Sequence, residues 1–235
     1  MTTPRSPITP SRAEVRRLSM LRTVLHRWWP ESRRRYPWRE SPEGYPRLVA
    51  EVLLQRTRAD AVAAIWPGFI SRFPSASHLA SSTEEEIAVV VQSLGLANKR
   101  ARNLQRLGTA LADADSPPRE FDQLLALPGV GPYSAGAYVA TWHGERSVPV
   151  DSNVIRVLDR VVRGDDRLTK SDARTLLASL MRNGDPETIV FGLVDFGAYP
   201  CSPRAPSCEQ CPAAAFCVAR RARNARSMSS AAPAT

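Results

Sequence analysis

The 235-residue sequence predicts an all-α fold. Three observations carry that prediction. Apolar residues recur at intervals of three and four in one segment after another. Two capping boxes, Ser11 with Glu14 and Thr83 with Glu86, open such segments. No stretch alternates apolar and polar residues as a half-buried strand does, and no internal repeat is present.

Residues 1–10 (MTTPRSPITP) are rich in Pro, Thr and Ser and are expected to be disordered. After Ser11, the residues Leu18, Leu21, Val24, Leu25 and Trp28 keep helical spacing until Pro30 ends the run. A second helical segment, apolar along most of its length, runs from Arg47 to about Phe69. Behind Thr83 come Ile87, Val90, Val91 and Leu94, with Gly95 where a C-terminal cap belongs. The next helix carries Leu104, Leu107 and Leu111 on one side and Lys99, Arg100, Arg102 and Arg106 on others. Asp151 occupies a helix N-cap, and Val154, Val157, Leu158 and Val161 continue that helix. Further helices are expected over about 171–183 and 186–198, the latter with Pro186 in its first turn. Residues 219–235 begin Arg-rich and end Ser/Ala-rich, so a basic, disordered tail is expected. Trp28, Trp29 and Trp38 are expected in the core, and His143 in a packing or capping role.

A hydrophobic content of 43% is ample for a core. The net charge of +9 and pI of about 10.1 point to a polyanionic partner, nucleic acid first and an anionic membrane surface second. No apolar run approaches the ~20 residues that span a bilayer. No targeting segment is recognisable, so a cytoplasmic location is expected.

The only four cysteines, Cys201, Cys208, Cys211 and Cys217, are spaced C-x6-C-x2-C-x5-C near the end of the chain. Thiolates gathered this closely suit zinc or an iron–sulfur cluster. Only Cys208 and Cys211 make the short pair usual for zinc, and the uneven outer spacing suits a bulky cubane better. Two disulfides are a poorer account, because a chain of this size needs no staples and carries no secretory signal.

Residues 121–142 read FDQLLALPGVGPYSAGAYVATW. A helix ends near Ala126, Leu127–Gly131 makes a tight turn, and Pro132 sits in the first turn of the next helix. Gly129 and Gly131 let the backbone approach a ligand, and the turn with the following helix N-terminus offers an anion site. This is a helix–hairpin–helix motif, which grips a DNA phosphate without reading sequence.

The hairpin with Gly129-Val130-Gly131, an Asp 20 residues later at Asp151, and the cysteine loop together resemble the endonuclease III (HhH-GPD) superfamily of DNA glycosylases. The likeness runs from Pro37-Trp38-Arg39 to Cys217. It implies a six-helix barrel domain over 44–145 holding the hairpin (127–131). It also implies an iron–sulfur cluster domain built from both chain ends, 11–43 and 146–218, with one 4Fe–4S cluster on the four cysteines. Double-stranded DNA would lie across the cleft, with the target base flipped out between the domains. The protein would act as a monomer associated with the nucleoid.

The resemblance also implies roles for single residues. Asp151 matches the catalytic carboxylate of the V-D-x-x-x-x-R-V segment. Glu51, in L-V-A-E-V-L-L, matches the general acid of adenine glycosylases, and thymine–guanine mismatch glycosylases carry a Glu there too. Burying a carboxylate among such neighbours is costly unless it is paired. Tyr133 stands where strand-cleaving endonuclease III enzymes carry a lysine and where the mismatch branch carries Tyr. A phenol forms no Schiff base, so the lyase route is expected to be lost. Gln55-Arg56-Thr57 and Asn98-Lys99-Arg100 would face the minor groove, with Gln55 filling the space of the flipped base. Arg204 would reach phosphate, and Gly129, Val130 and Gly131 would hold another.

The expected activity is excision of thymine or uracil mispaired with guanine. Adenine excision opposite 8-oxoguanine or guanine is the nearest alternative. A non-catalytic DNA-binding helix–hairpin–helix module is the alternative of another class.

Overall fold

The computed structural model describes residues 8–41, 44–114, 116–164 and 167–230. Among these residues every regular element is helical. The chain divides into two units, Arg35–His143 and a second drawn from both ends, Met1–Arg34 with Gly144–Thr235. In chain order, α1 (Arg12–Ser32) belongs to the chain-end unit. The central unit holds α2 (Pro37–Glu40), α3 (Tyr45–Leu53), α4 (Ala59–Arg72), α5 (Ala76–Ser81), α6 (Glu84–Val91), α7 (Ala97–Leu111), α8 (Phe121–Leu125) and α9 (Pro132–Trp142). The chain-end unit resumes with α10 (Ser152–Leu158), a π-helical turn (Asp159–Arg163), α11 (Lys170–Met181), α12 (Pro186–Ala198) and α13 (Val218–Ser230).

In the central unit, six helices of six residues or more (α3 to α7 and α9) enclose one apolar core. An aromatic run forms its spine. Tyr36 stacks on Trp38 at 4.7 Å, Trp38 meets Trp66 edge-on at 5.6 Å, and Phe69 meets Phe73 at 5.2 Å. Those contacts draw Tyr36 and Trp38 into this unit. Its boundary therefore lies after Arg34 rather than after residue 43, and at His143 rather than residue 145. Where α5 meets α7 the backbones nearly touch, since a Cβ at Gly108 would lie 2.6 Å from Leu79 Cβ.

The single helix expected over 47–69 is broken. Leu54–Arg58 forms a turn in which Arg56 takes φ +55°, left-handed backbone uncommon for a side chain of this size. The cause is Arg100, 8% exposed, which donates to Val52 O (3.3 Å), Leu53 O (3.1 Å), Gln55 O (3.4 Å) and Thr57 Oγ1 (2.9 Å). One guanidinium thus satisfies carbonyls that a continuing helix would have occupied.

In the chain-end unit, α1 buries Leu18, Leu21, Leu25 and Trp29 on one stripe and packs against α12. Asp195 on α12 is buried but fully used: Trp29 Nε1 donates at 3.0 Å, Arg34 N at 3.2 Å and Arg34 Nε at 2.8 Å. Glu14 closes the α1 capping box and also pairs with Arg163 at 3.1 Å. Helix α1 runs on to Ser32, two residues past Pro30. The proline sits in the final turn, where one lost bond costs little.

The tail expected to be disordered over 219–235 is helical over Val218–Ser230. Ala and Arg are strong helix formers, and the helix start is seated on the chain. A Cβ at Gly164 would lie 2.8 Å from Val218 Cγ1 and 3.1 Å from Ala219 N, so only glycine admits α13 there. Residues 1–7 of the expected disordered start, and 231–235 of the tail, lie outside the described residues.

Candidate active site

Helix α3 is buried from Leu48 to Leu53, and Glu51 sits in the middle at 6% exposure. Burial pushes its carboxyl up to about 7, although the Arg39 guanidinium of α2 pulls the other way. Desolvation penalises the ion more than that one cation favours it, so the acid holds its proton near neutrality. Arg39 had no assigned role in the sequence beyond its place in Pro37-Trp38-Arg39.

Tyr133 and Ser134 open α9, the second helix of the hairpin. Tyr133 is half-buried, whereas Ser134 is 2% exposed and points back to α3. Ser134 Oγ donates to Glu51 O at 3.3 Å, and Gln55 Nε2 reaches both Ser134 Oγ (3.1 Å) and Gly129 O (2.7 Å). The acid-bearing helix, the turn after it and the hairpin are thus one hydrogen-bonded assembly. Ser134 is a link that helical periodicity left undistinguished.

The three hairpin residues differ in what they do. Gly129 needs its missing Cβ, having φ +77° and Asn103 Cβ 3.1 Å from where a Cβ would be. A Cβ at Gly131 would meet nothing within 4 Å, so this backbone is open to an incoming group. Val130 is different: its side chain is buried and its N–H closes the turn on Leu127 O at 3.1 Å. It anchors the hairpin. No side chain caps the start of α9.

The turn after α3 and the start of α7 border a cleft of about 230 Å³, lined by Gln55, Arg56, Leu96, Lys99, Arg100 and Asn103. Arg56, Asn98 and Lys99 are exposed, while Thr57 is half-buried and receives Arg100. Arg100 lines the cleft while its guanidinium donates to the Val52, Leu53, Gln55 and Gly95 carbonyls and to Thr57 Oγ1. Leu96, unremarked in the sequence, is 65% exposed with left-handed backbone at φ +52°. A large apolar side chain is thus presented to solvent beside cationic residues.

In the chain-end unit, Asp151 is the N-cap of α10. Its Oδ1 accepts from Val154 N at 2.8 Å, and its Oδ2 accepts from Asn153 Nδ2 at 3.3 Å. Asn153 Oδ1 in turn accepts from Arg156 Nη2 at 2.7 Å, and Arg156 is tied to Gly197 O (2.6 Å) and Cys201 O (3.1 Å). The carboxylate is therefore braced, through two side chains, against the backbone of the first cysteine. Asn153 and Arg156 lie in the motif that marked Asp151, but the partners of Arg156 at Gly197 and Cys201, more than 40 residues on, were invisible there.

The four cysteines line a single hollow, whose other walls include Val161, Phe196, Pro200 and Pro206. Arg204, in the loop between Cys201 and Cys208, is exposed. Among the described residues no three His, Cys, Asp or Glu side chains form a group that could hold a metal ion as they stand. The thiols ring a space instead of converging on a point. Burial pushes Cys211 up to about 11 and raises Cys217 as well, with the neighbouring thiols adding to both. A cationic centre among them would reverse that balance, so the donor set fits a thiolate-bound metal centre, zinc or an iron–sulfur cluster.

The sequence matches the family described as HhH-GPD superfamily base excision DNA repair protein over residues 49–183. It is 31% identical over 195 residues to a thymine/uracil-DNA glycosylase of Methanothermobacter thermautotrophicus, covering 81% of this chain and 88% of that one. It is 35% identical over 201 residues to an adenine DNA glycosylase of Mycolicibacterium smegmatis, covering 83% of this chain and 68% of the relative. The solved structure of a thermostable thymine-DNA glycosylase superposes with a TM-score of 0.82 at 29% identity, over 89% of this chain and 99% of that one. The all-helical fold, the hairpin and these matches agree: the chain belongs to the HhH-GPD superfamily of base excision DNA repair proteins.

Proposed function

We propose that this protein is a monofunctional DNA glycosylase that removes thymine or uracil mispaired with guanine from double-stranded DNA. The observation that carries the proposal is Glu51, a buried carboxyl group held up to about 7 and tied through Ser134 and Gln55 to the DNA-gripping hairpin. A neutral acid in such a place is suited to protonate or hydrogen-bond a departing base. The thymine/uracil relative and the thymine-DNA glycosylase structure support the choice of base.

In this mechanism the target nucleotide is swung out of the stack. Leu96 and Gln55 fill the space it leaves, and Arg56, Asn98 and Lys99 border the groove, with Thr57 holding the turn. Gly129, Gly131 and Arg204 take backbone phosphates. The bond between C1′ and the base nitrogen breaks, and its electron pair leaves with the base, which Glu51 meets as an acid. Positive charge develops on the deoxyribose, and the Asp151 carboxylate stabilises it. Water then adds to C1′ and loses its proton to solvent, from which Glu51 is reprotonated, leaving the free base and an abasic site. Val154 N–H and the Asn153 amide keep Asp151 aimed without neutralising it. Tyr133 presents a phenol where an amine would open the strand, so base release ends the reaction.

Cys201, Cys208, Cys211 and Cys217 would hold one 4Fe–4S cluster. Four thiolates leave it no open position for substrate, and its contribution is to shape the loop that carries Arg204. The protein would act as a monomer in the cytoplasm, associated with the nucleoid. No helix among the described residues is long and apolar enough to cross a membrane.

Labelled duplexes carrying T:G, U:G and A:8-oxoguanine, incubated with and without alkali, test the proposal. Base release from T:G and U:G, with strand breaks only after alkali, is expected. The 35% identity to an adenine glycosylase favours one competing reading, and cleavage confined to A:8-oxoguanine would select it. No release from any duplex would leave a DNA-binding module. Tyr133→Lys should acquire borohydride-trappable cross-linking, and a complete lack of cross-link would remove Tyr133 from the neighbourhood of C1′.

A further inference from the structure

The segment V-A-R-R-A-R-N-A-R (218–226) carries four arginines and no acidic residue. Such a stretch normally stays in solvent, its charges repelling one another. Here it forms the first part of α13, and Ala219, Arg220 and Arg223 line the hollow that the four cysteines ring. Arg223 Nη1 lies 3.6 Å from Cys208 Sγ. From the π-helical turn, Arg160 Nη1 lies 3.7 Å from Cys201 Sγ, while Arg160 also donates to Ser202 O and Pro203 O, each at 2.8 Å. Two of the four sulfurs thus face a guanidinium. The neighbouring Arg221 behaves otherwise, donating to Ala215 O at 2.6 Å.

We infer that α13 is part of the cofactor site: Arg223, together with Arg160, donates to the ligand sulfurs, and through them the helix governs how readily the cluster is oxidised and how long it survives in air. The inference rests on the iron–sulfur assignment above. Its physics is direct. A cation at a thiolate sulfur stabilises the more electron-rich state of the centre, so it raises the reduction potential. Removing the cation makes electron loss to dioxygen easier and uncovers the hollow. Arg223 is a positioning and tuning residue that touches no DNA in this scheme.

The test uses full-length protein purified without air, with iron, acid-labile sulfide and zinc counted first. Arg223→Gln is expected to move the cluster midpoint to more negative potential and to bleach in air about tenfold faster. Arg223→Lys should recover most of both properties. Arg221→Gln removes the same charge from the same helix without touching a sulfur, and it should behave as the wild type. Wild-type potential and lifetime in Arg223→Gln, or equal shifts in Arg221→Gln, would overturn the inference. Should Arg223→Gln fail to load iron, normal loading and potential in Arg223→Lys would still support it, and failure of both variants to load while a Val218 truncation loads normally would refute it. A wild-type protein holding zinc, or no iron and sulfide, would instead remove the cluster assignment beneath it.

Discussion

Glu51 lies inside an apolar helix, whereas Asp151 caps the start of one. The first is surrounded by Leu48, Val49, Val52 and Leu53, and loses its hydration without gaining enough charge compensation to stay ionised. The second is half-buried and receives a backbone N–H and a side-chain amide, which fix where its oxygens point. One functional group is thereby specialised in two directions, an acid in the central unit and an anion in the chain-end unit.

The comparison is broken most severely by converting the anion. Asp151→Asn keeps the cap geometry and removes the charge, so base release should fall by about 10³-fold or more while duplex binding persists. Single-turnover assays with gel-shift controls measure both, and retained activity would sink the role of Asp151. Glu51→Gln should cost about 10²–10⁴ in rate, as loss of a general acid does. The wild-type rate should also decline as pH rises through about 7, where Glu51 loses its proton.

The same residue predicts an opposite effect on stability. A folded-state value raised from 4.5 to about 7 means the folded protein keeps a proton that the unfolded chain releases. The resulting stability is fully present below about pH 4.5, is lost as pH rises to about 7, and amounts to about 3 kcal/mol. Denaturant unfolding of Glu51→Gln at pH 8 should therefore show it more stable than the wild type, with that pH dependence gone. Equal pH dependence in both would mean that Glu51 is hydrated.

Smaller effects probe the supports. Arg100→Ala takes a donor from the Val52, Leu53, Gln55 and Gly95 carbonyls, of which Val52 O and Gln55 O keep another, and should cost about 2 kcal/mol of stability, with faster amide exchange in residues 54–57. Asn153→Ala loosens Asp151 without removing it, and about a tenfold drop in kcat with unchanged KM is expected. A KM effect alone would assign Asn153 to binding. Smallest is Arg204→Ala, which should weaken binding to all sequences alike and lower the salt slope by about 1.

Much of this was legible in the residues alone. The capping boxes at Ser11 and Thr83, the cap at Asp151 and Pro186 in a first turn each state their own local geometry, because the forces involved reach only three or four residues. The roles expected of Glu51 and Asp151 came from the resemblance to a known superfamily, and those of the four cysteines from their spacing. What folding alone decided involves partners far apart in the chain. Arg100 reaches the broken 47–69 segment from 48 residues away and spends its guanidinium on that turn. Arg156 ties the Asp151 support to Cys201 across 45 residues. A basic tail becomes α13 because Gly164 gives its start a seat. Periodicity records which face of a helix is buried, but a guanidinium reaching another segment's carbonyls leaves no periodic trace, since its energy comes from groups that only the folded chain brings within 3 Å or so.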